Sequence, residues 1–102
     1  MIDGASIVKS DDAIPDDFEL LQNYPNPTNP STNINYAIPS RSHVTLSVFN
    51  TLGQRVAELV NSEKEAGSYN VTFDASGLAS GVYLYRMQAG SFVQTRKLVV
   101  LK

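Results

Sequence analysis

The chain has 102 residues, of which 42% are hydrophobic and 18% are charged, and this is enough for one domain with a single core. It contains no Cys and one His, which excludes disulfides, thiolate zinc sites, cysteine nucleophiles and metal clusters with several His ligands. The formal net charge of −2 argues against a nucleic-acid-binding protein, because such proteins normally carry a basic excess.

The first part of the chain is acidic and lacks a hydrophobic period. Residues 1–19 contain six acidic residues and one lysine, for a net charge of −5, whereas residues 20–102 contain four acidic and seven basic residues, for a net charge of +3. We interpret residues 1–17 as an acidic flexible linker and residues 18–102 as the folded domain. No signal peptide and no transmembrane segment is expected, because the apolar runs are too short. The chain is therefore expected to be intracellular or the downstream piece of a longer exported protein.

From Phe18 onward, hydrophobic residues recur at every second position, which indicates β-strands with one buried face. In chain order, strands are predicted at residues 18–24, 32–38, 43–49, 55–60, 68–74, 81–87 and 92–101. The pattern of residues 55–60 is also compatible with one helical turn, and we predict a strand there. Residues 81–87 are apolar on both faces, since Val82 and Leu84 alternate with Tyr83, Tyr85 and Met87, and this predicts a central strand.

Turn residues separate these segments. Gly90 stands in a short gap between the last two strands and predicts a tight hairpin. Residues 61–67 read as a polar turn, and the prolines between residues 25 and 39 are expected between strands or at an edge. Seven short strands with frequent turn signals are typical of an all-β fold, here an immunoglobulin-like or fibronectin-like antiparallel β-sandwich.

Tyr83 stands near the start of the most apolar strand, shortly after Leu78 and Gly81. In immunoglobulin-like and fibronectin-like sandwiches, a tyrosine in this position often donates its hydroxyl to a backbone carbonyl a few residues upstream. We therefore predict a structural tyrosine corner at Tyr83. The alternative is an ordinary half-buried tyrosine ring.

The sequence offers little for catalysis or ligand binding. His43 begins a predicted strand, and the sequence does not place a nucleophile and an orienting group beside it as nucleophilic catalysis requires. Glu63 and Glu65 fall in the predicted polar turn, which is not a cleft that would hold a catalytic pair of carboxylates. The paired aspartates before residue 18 show no convergence of the six or so oxygen ligands that calcium takes. We predict no catalytic residue, no cofactor and no metal. A carbohydrate-binding module stays open as an alternative, with Tyr24 or Tyr36 as an aromatic platform.

Five sequence blocks resemble the C-terminal sorting domains of the type IX secretion system, which are found in Bacteroidetes and related phyla. They read LLQNYPNPTNPST (20–32), VFNTLGQRV (48–56), AGSY (66–69), LASGVYLYR (78–86) and RKLVVLK (96–102). The resemblance covers residues 18–102 with every block in the expected order. Thr28 is a departure, because the family usually carries an aromatic residue there. The immunoglobulin-like part of flagellar hook-capping proteins is a related domain.

The resemblance implies a non-catalytic signal domain. It implies that an upstream passenger protein is carried through the periplasm and across the outer membrane, to be secreted or displayed on the cell surface. It also implies an outer-membrane secretion machinery and a sortase-like peptidase as partners, with cleavage in the linker or surface attachment of the cargo. We expect a monomer without a nucleic-acid partner. The alternative is a structural or carbohydrate-binding sandwich retained in a secreted protein.

Carried over by position, the family's recognition elements lie in the last two strands. They are Gly81, Tyr83, Arg86, Lys97, Leu98, Val100 and Lys102. Gly81 is also explained by a turn, and Leu98 and Val100 by a place in the core. Lys97 and Lys102 are the better candidates, because surface cations add little to packing but steer a partner. The last strand is a second candidate surface, which would pair with a receptor by strand addition.

Overall fold

The computed structural model describes residues 14–102, and within them the chain forms seven β-strands and no helix. The strands are β1 (Glu19–Leu20), β2 (Ser31–Ile38), β3 (Ser42–Phe49), β4 (Arg55–Lys64), β5 (Gly67–Asp74), β6 (Gly81–Ala89) and β7 (Phe92–Val100). Accordingly, these residues contain no helix of the length and apolar character needed to cross a membrane. The part of the predicted linker before Ile14 lies outside the described residues.

The strands form two antiparallel sheets that pack face to face. One sheet has the order β1-β2-β5, and the other has the order β4-β3-β6-β7. Their inner faces supply one core, and its largest fully buried side chains are Tyr36, Tyr85, Leu20, Ile34, Ile38, Leu46, Met87 and Leu98. The predicted all-β sandwich of seven strands is therefore confirmed.

Two predicted strands differ from the structure in length by more than two residues. The first was predicted for residues 18–24 but is paired as a strand only at Glu19–Leu20, because the chain then turns into a proline-rich segment whose prolines cannot donate to a ladder. The fourth is confirmed as a strand but continues to Lys64, so the turn predicted over residues 61–67 is confined to residues 65–66. Its last residues pair with β3 at an exposed sheet edge, where hydrophobic alternation is not required.

The β6–β7 hairpin has the predicted tight turn. Ala89 pairs with Phe92, and Gly90 between them has a φ of 60°, in the left-handed region that favours glycine. β6 lies between β3 and β7, so the central position predicted from its apolar residues is confirmed. However, its outward side chains Val82 and Leu84 are 42% and 36% exposed, so the strand is buried on one face only.

Candidate functional site

The seven residues implied as recognition elements divide between the core and the surface. Because side chains alternate along a strand, Tyr83, Leu98 and Val100 lie on the inner face and are buried. The other four are exposed, namely Gly81, Arg86, Lys97 and Lys102. A partner that meets the folded domain can therefore contact only the second group directly.

Tyr83 makes the hydrogen bond expected of a tyrosine corner. Its hydroxyl donates to the carbonyl oxygen of Ala79, four residues upstream, over 2.8 Å. This bond ties the start of β6 to the loop that enters it. The contact accounts for the tyrosine at this position without any partner.

Arg86 and Lys97 lie on the outer face of the four-stranded sheet. The Arg86 guanidinium stacks over the Phe49 ring at 4.8 Å from its centroid, a cation–π contact that fixes its position. Lys97 pairs across the strands with Leu84, whose other neighbour is Phe49. Within residues 14–102, neither cation takes part in an ion pair.

Gly81 and Lys102 meet at one end of this sheet. The Lys102 amide donates to the Ser80 hydroxyl at 3.0 Å, and its Nζ donates to the carbonyl of Ser76. The hydrogen bonds from Ser76, helped by the charge of Lys102, hold the pKa of Asp74 below its usual value. Gly81 has a φ of 152°, which side-chain-bearing residues rarely adopt, so the backbone alone explains this glycine.

The outer edge of β7 is covered by residues 22–28, which we call the proline-rich strap. The Thr28 amide donates to the Val99 carbonyl at 2.7 Å, and the Leu101 amide donates to the Thr28 carbonyl at 3.0 Å. The Val99 amide donates to Asn26 Oδ1 at 3.0 Å, and Gln22 Nε2 donates to the Lys97 carbonyl at 2.8 Å. Strand addition along this part of β7 is therefore blocked while the strap is in place, contrary to the sequence-based hypothesis.

Asn23 holds the strap in the core through a buried polar network. Its Nδ2 donates to the hydroxyls of Thr32 at 2.9 Å and Thr28 at 3.3 Å. Its backbone amide donates to the Tyr85 hydroxyl at 2.8 Å, and burial raises the pKa of that tyrosine. Thr28 is fully buried, so a hydroxyl in this network stands where the family usually has an aromatic ring. Sequence analysis missed this network, and the Asn-x-x-x-x-Thr-x-x-x-Thr spacing was its only signal.

The ionisable groups around His43 lie at the opposite end of β3 and β4. Arg41 pairs with Glu63 and Glu65, and His43 Nε2 is 2.7 Å from Asn61 Oδ1. All of these side chains are exposed, so their ion pairs are screened by solvent. No group of three or more His, Cys, Asp or Glu residues that could hold a metal occurs in the described part of the chain.

The two tyrosines considered as a carbohydrate platform have opposite environments. Tyr36 is 1% exposed and stacks on Tyr69 with 5.2 Å between ring centroids, so the alternative in which it forms a carbohydrate platform is excluded. Burial, with a contribution from Tyr69, raises the pKa of Tyr36 to about 12. Tyr24 is 79% exposed. The three-stranded sheet carries a cavity of about 360 Å³, which is lined by residues that include Asn35 and Asn70, and Tyr24 is not part of its lining.

The comparisons with known proteins agree with the sequence blocks. Residues 22–101 match the family model described as a secretion system C-terminal sorting domain. The match runs from the strap to the residue after β7 and includes all strands except β1. Neither the curated proteins nor the solved structures give a match to this chain. Because the family model covers most of the sequence, the chain belongs to the secretion system C-terminal sorting domains, which are the sorting signals of type IX secretion.

Proposed function

We propose that this domain exports a passenger protein joined to its N-terminal side, and that the type IX machinery recognises the domain in its folded state. The observation that carries the proposal is the family match, which spans nearly the whole sandwich rather than a short terminal peptide. The packing of the last strand supports recognition of the folded state. Leu98 and Val100 are buried, and the strap covers the edge between Lys97 and Leu101, so a receptor for an extended tail would have to unfold the domain.

The proposed route passes through the periplasm and the outer membrane to the cell surface or the medium. The acidic segment of residues 1–17 serves as the junction with the passenger, and a sortase-like peptidase cuts there or the cargo is attached to the surface. In support of this assignment, residues 14–17 lie outside any strand, and Asp16 and Asp17 are exposed. Cleavage sites concentrate in segments of this kind. The domain itself performs no chemical step in this scheme, and any catalysis belongs to the passenger or the peptidase.

The test is a secretion assay on a passenger fused to this chain in a type IX-competent strain. Deletion of residues 97–102 is expected to leave the passenger in the periplasm. The variant Leu98→Ala separates loss of folding from loss of a signal, because it weakens the core but keeps every exposed side chain. Surface display that is unchanged by the deletion would contradict the proposal and favour a sandwich that is simply retained in the mature protein.

A further inference from the structure

The outer face of the four-stranded sheet carries a contiguous apolar strip. It consists of Phe49, Val82, Leu84 and Val99, which we call the outer strip. Leu84 pairs across the strands with Phe49, and Val82 pairs with Val99. Val82 and Leu84 are 42% and 36% exposed. A sheet face that meets only water normally carries polar side chains, so this strip is a candidate contact surface.

Cations surround the outer strip on several sides. Lys97 is the cross-strand neighbour of Leu84, Arg55 is the neighbour of Phe49, and Arg86 follows Leu84 on the same face of β6. Among the residues that the structure describes, the acid beside them is Glu58, which pairs with Arg55 at 3.1 Å. The positive charges of Arg86 and Lys97 are therefore not balanced by any described residue.

The outer face of the other sheet has a different chemistry. Its central residues are uncharged and bond to one another, since the Thr72 hydroxyl donates to Asn33 and the Asn70 amide donates to Asn35. These bonds already satisfy much of its polar capacity. Among residues 14–102, the face around the outer strip combines several exposed apolar side chains with unbalanced positive charge, and this combination selects it as the contact face.

We infer that the outer strip docks an acidic protein surface, whose apolar side chains cover Val82 and Leu84 and whose carboxylates meet Arg86 and Lys97. The inference rests on the proposed function, in which the partner is a component of the export machinery. The unbalanced positive charges require a partner surface with negative charge. The apolar centre requires that this surface also present apolar side chains, as a protein does. A polysaccharide or a nucleic acid presents mainly polar surface and would leave the apolar strip poorly covered. An anionic lipid layer would meet the cations and also cover the strip, so a lipid adduct is one of the outcomes that would overturn the inference.

A photo-crosslinking amino acid at position 84 tests the contact in the full-length passenger fusion inside type IX-competent cells. The expected product is an adduct with one protein, in which mass spectrometry maps the linked peptide to an acidic surface. The same crosslinker at position 35, on the uncharged outer face, is the matched control. An adduct with lipid or polysaccharide, no adduct, or equal adducts from both positions would overturn the inference.

Charge reversal gives a second readout with a matched control. Lys97→Glu and Arg41→Glu each change the net charge by the same amount at an exposed site, but Arg41 lies away from the outer strip. Lys97→Glu is expected to lower the crosslink yield and the export rate by roughly tenfold or more, since like charges across an interface are strongly unfavourable. Arg41→Glu is expected to leave the crosslink yield unchanged. Because Arg41 pairs with Glu63 and Glu65, its reversal lowers the melting temperature more than Lys97→Glu does, so a loss of export that followed stability alone would be larger in the control.

The two proposals fail in distinguishable ways. If deletion of residues 97–102 blocks export but Lys97→Glu exports normally without loss of the crosslink, the sorting function stands and the docking face is wrong. If the deletion leaves export unchanged, the sorting proposal itself is wrong.

Discussion

Replacing Asn23 with Ala removes the side chain that anchors the proline-rich strap. The amide of Asn23 is buried and donates to the hydroxyls of Thr28 and Thr32. In Asn23→Ala, the Thr28 hydroxyl loses its one side-chain partner among the described residues while it stays fully buried. We expect the strap to loosen from β7 as a result, because Thr28 also makes backbone bonds to Val99 in that strand and to Leu101 directly after it.

The expected loss of stability follows from this bond count. The two hydrogen bonds of Asn23 to buried hydroxyls have a net value of about 1 kcal/mol each, and one buried hydroxyl is left without a partner, which gives about 2–4 kcal/mol. The other two bonds of this side chain, to the Pro25 carbonyl and from Gln22 Nε2, are partly exposed, so water replaces them at little cost. For a domain of this size, such a loss lowers the melting temperature by at least about 8 °C. Asn35→Ala is the matched control, because Asn35 is exposed and accepts one bond from Asn70, and its expected cost is below about 0.5 kcal/mol.

Urea unfolding followed by circular dichroism measures the difference between the two variants. Hydrogen exchange at the amides of Thr28, Val99 and Leu101 measures the loosening locally, and these amides are expected to exchange faster in Asn23→Ala beyond the effect of global destabilisation. Equal unfolding midpoints for Asn23→Ala and Asn35→Ala would refute the anchoring role of Asn23. Unchanged protection at these three amides would refute the coupling between the strap and β7.

Three further predictions concern the core and the tyrosines. Leu98→Ala should cost about 2–5 kcal/mol in urea unfolding because Leu98 is fully buried, whereas Lys97→Ala should cost less than about 0.5 kcal/mol; similar costs would contradict the inward and outward alternation of β7. Tyr83→Phe should cost about 1 kcal/mol through the lost bond to Ala79, and no change in the unfolding midpoint would argue against the corner. Burial raises the pKa of Tyr36 from 10.0 to about 12, so the unfolded chain releases this proton first and stability should fall by about 2–3 kcal/mol as the pH rises through this window. Tyr36→Phe should reduce the fall in stability at high pH but not abolish it, because the pKa of the buried Tyr85 is raised as well. An unchanged pH profile would count against the burial of the Tyr36 hydroxyl.

Strands could be predicted where alternation between apolar and polar residues reflects one buried face. Val44, Leu46 and Val48 in β3 illustrate this, since all three are buried and Thr45 between them is partly exposed. Ser47 departs from the pattern, because it is also buried, opposite Arg86 of β6. The second half of β4 could not be found in this way. Its residues are polar and largely exposed, and only the backbone pairing with β3 makes them a strand.

The sequence predicted only in part which of the candidate recognition residues are buried and which are exposed. The period of two predicts that Leu98 and Val100 point the same way, and a place in the core was an alternative for both. The strap was not predictable, because its bonds to Val99 and Leu101 join backbone groups more than seventy residues apart. Hydrophobic patterning carries no information on such bonds, and the prolines indicate only that the segment is not a central strand.

The exposure of Val82 and Leu84 could not be predicted from the hydrophobic pattern either. A strand that is apolar on both faces indicates cover on both sides, yet here the second face meets solvent. The mismatch between the sequence pattern and the burial is what points to a docking partner at this face. Sequence analysis had counted the same residues as evidence for a central strand alone.

The most direct test of the account is whether this chain alone confers type IX export on an unrelated protein. A reporter with its own inner-membrane export signal is fused to residues 1–102 and expressed in cells with and without a working type IX translocon. External protease on intact cells then measures how much of the reporter is outside. We expect digestion, or release into the medium, only in the translocon-proficient cells, whereas a reporter that stays periplasmic in both strains, or reaches the surface in both, would contradict the account.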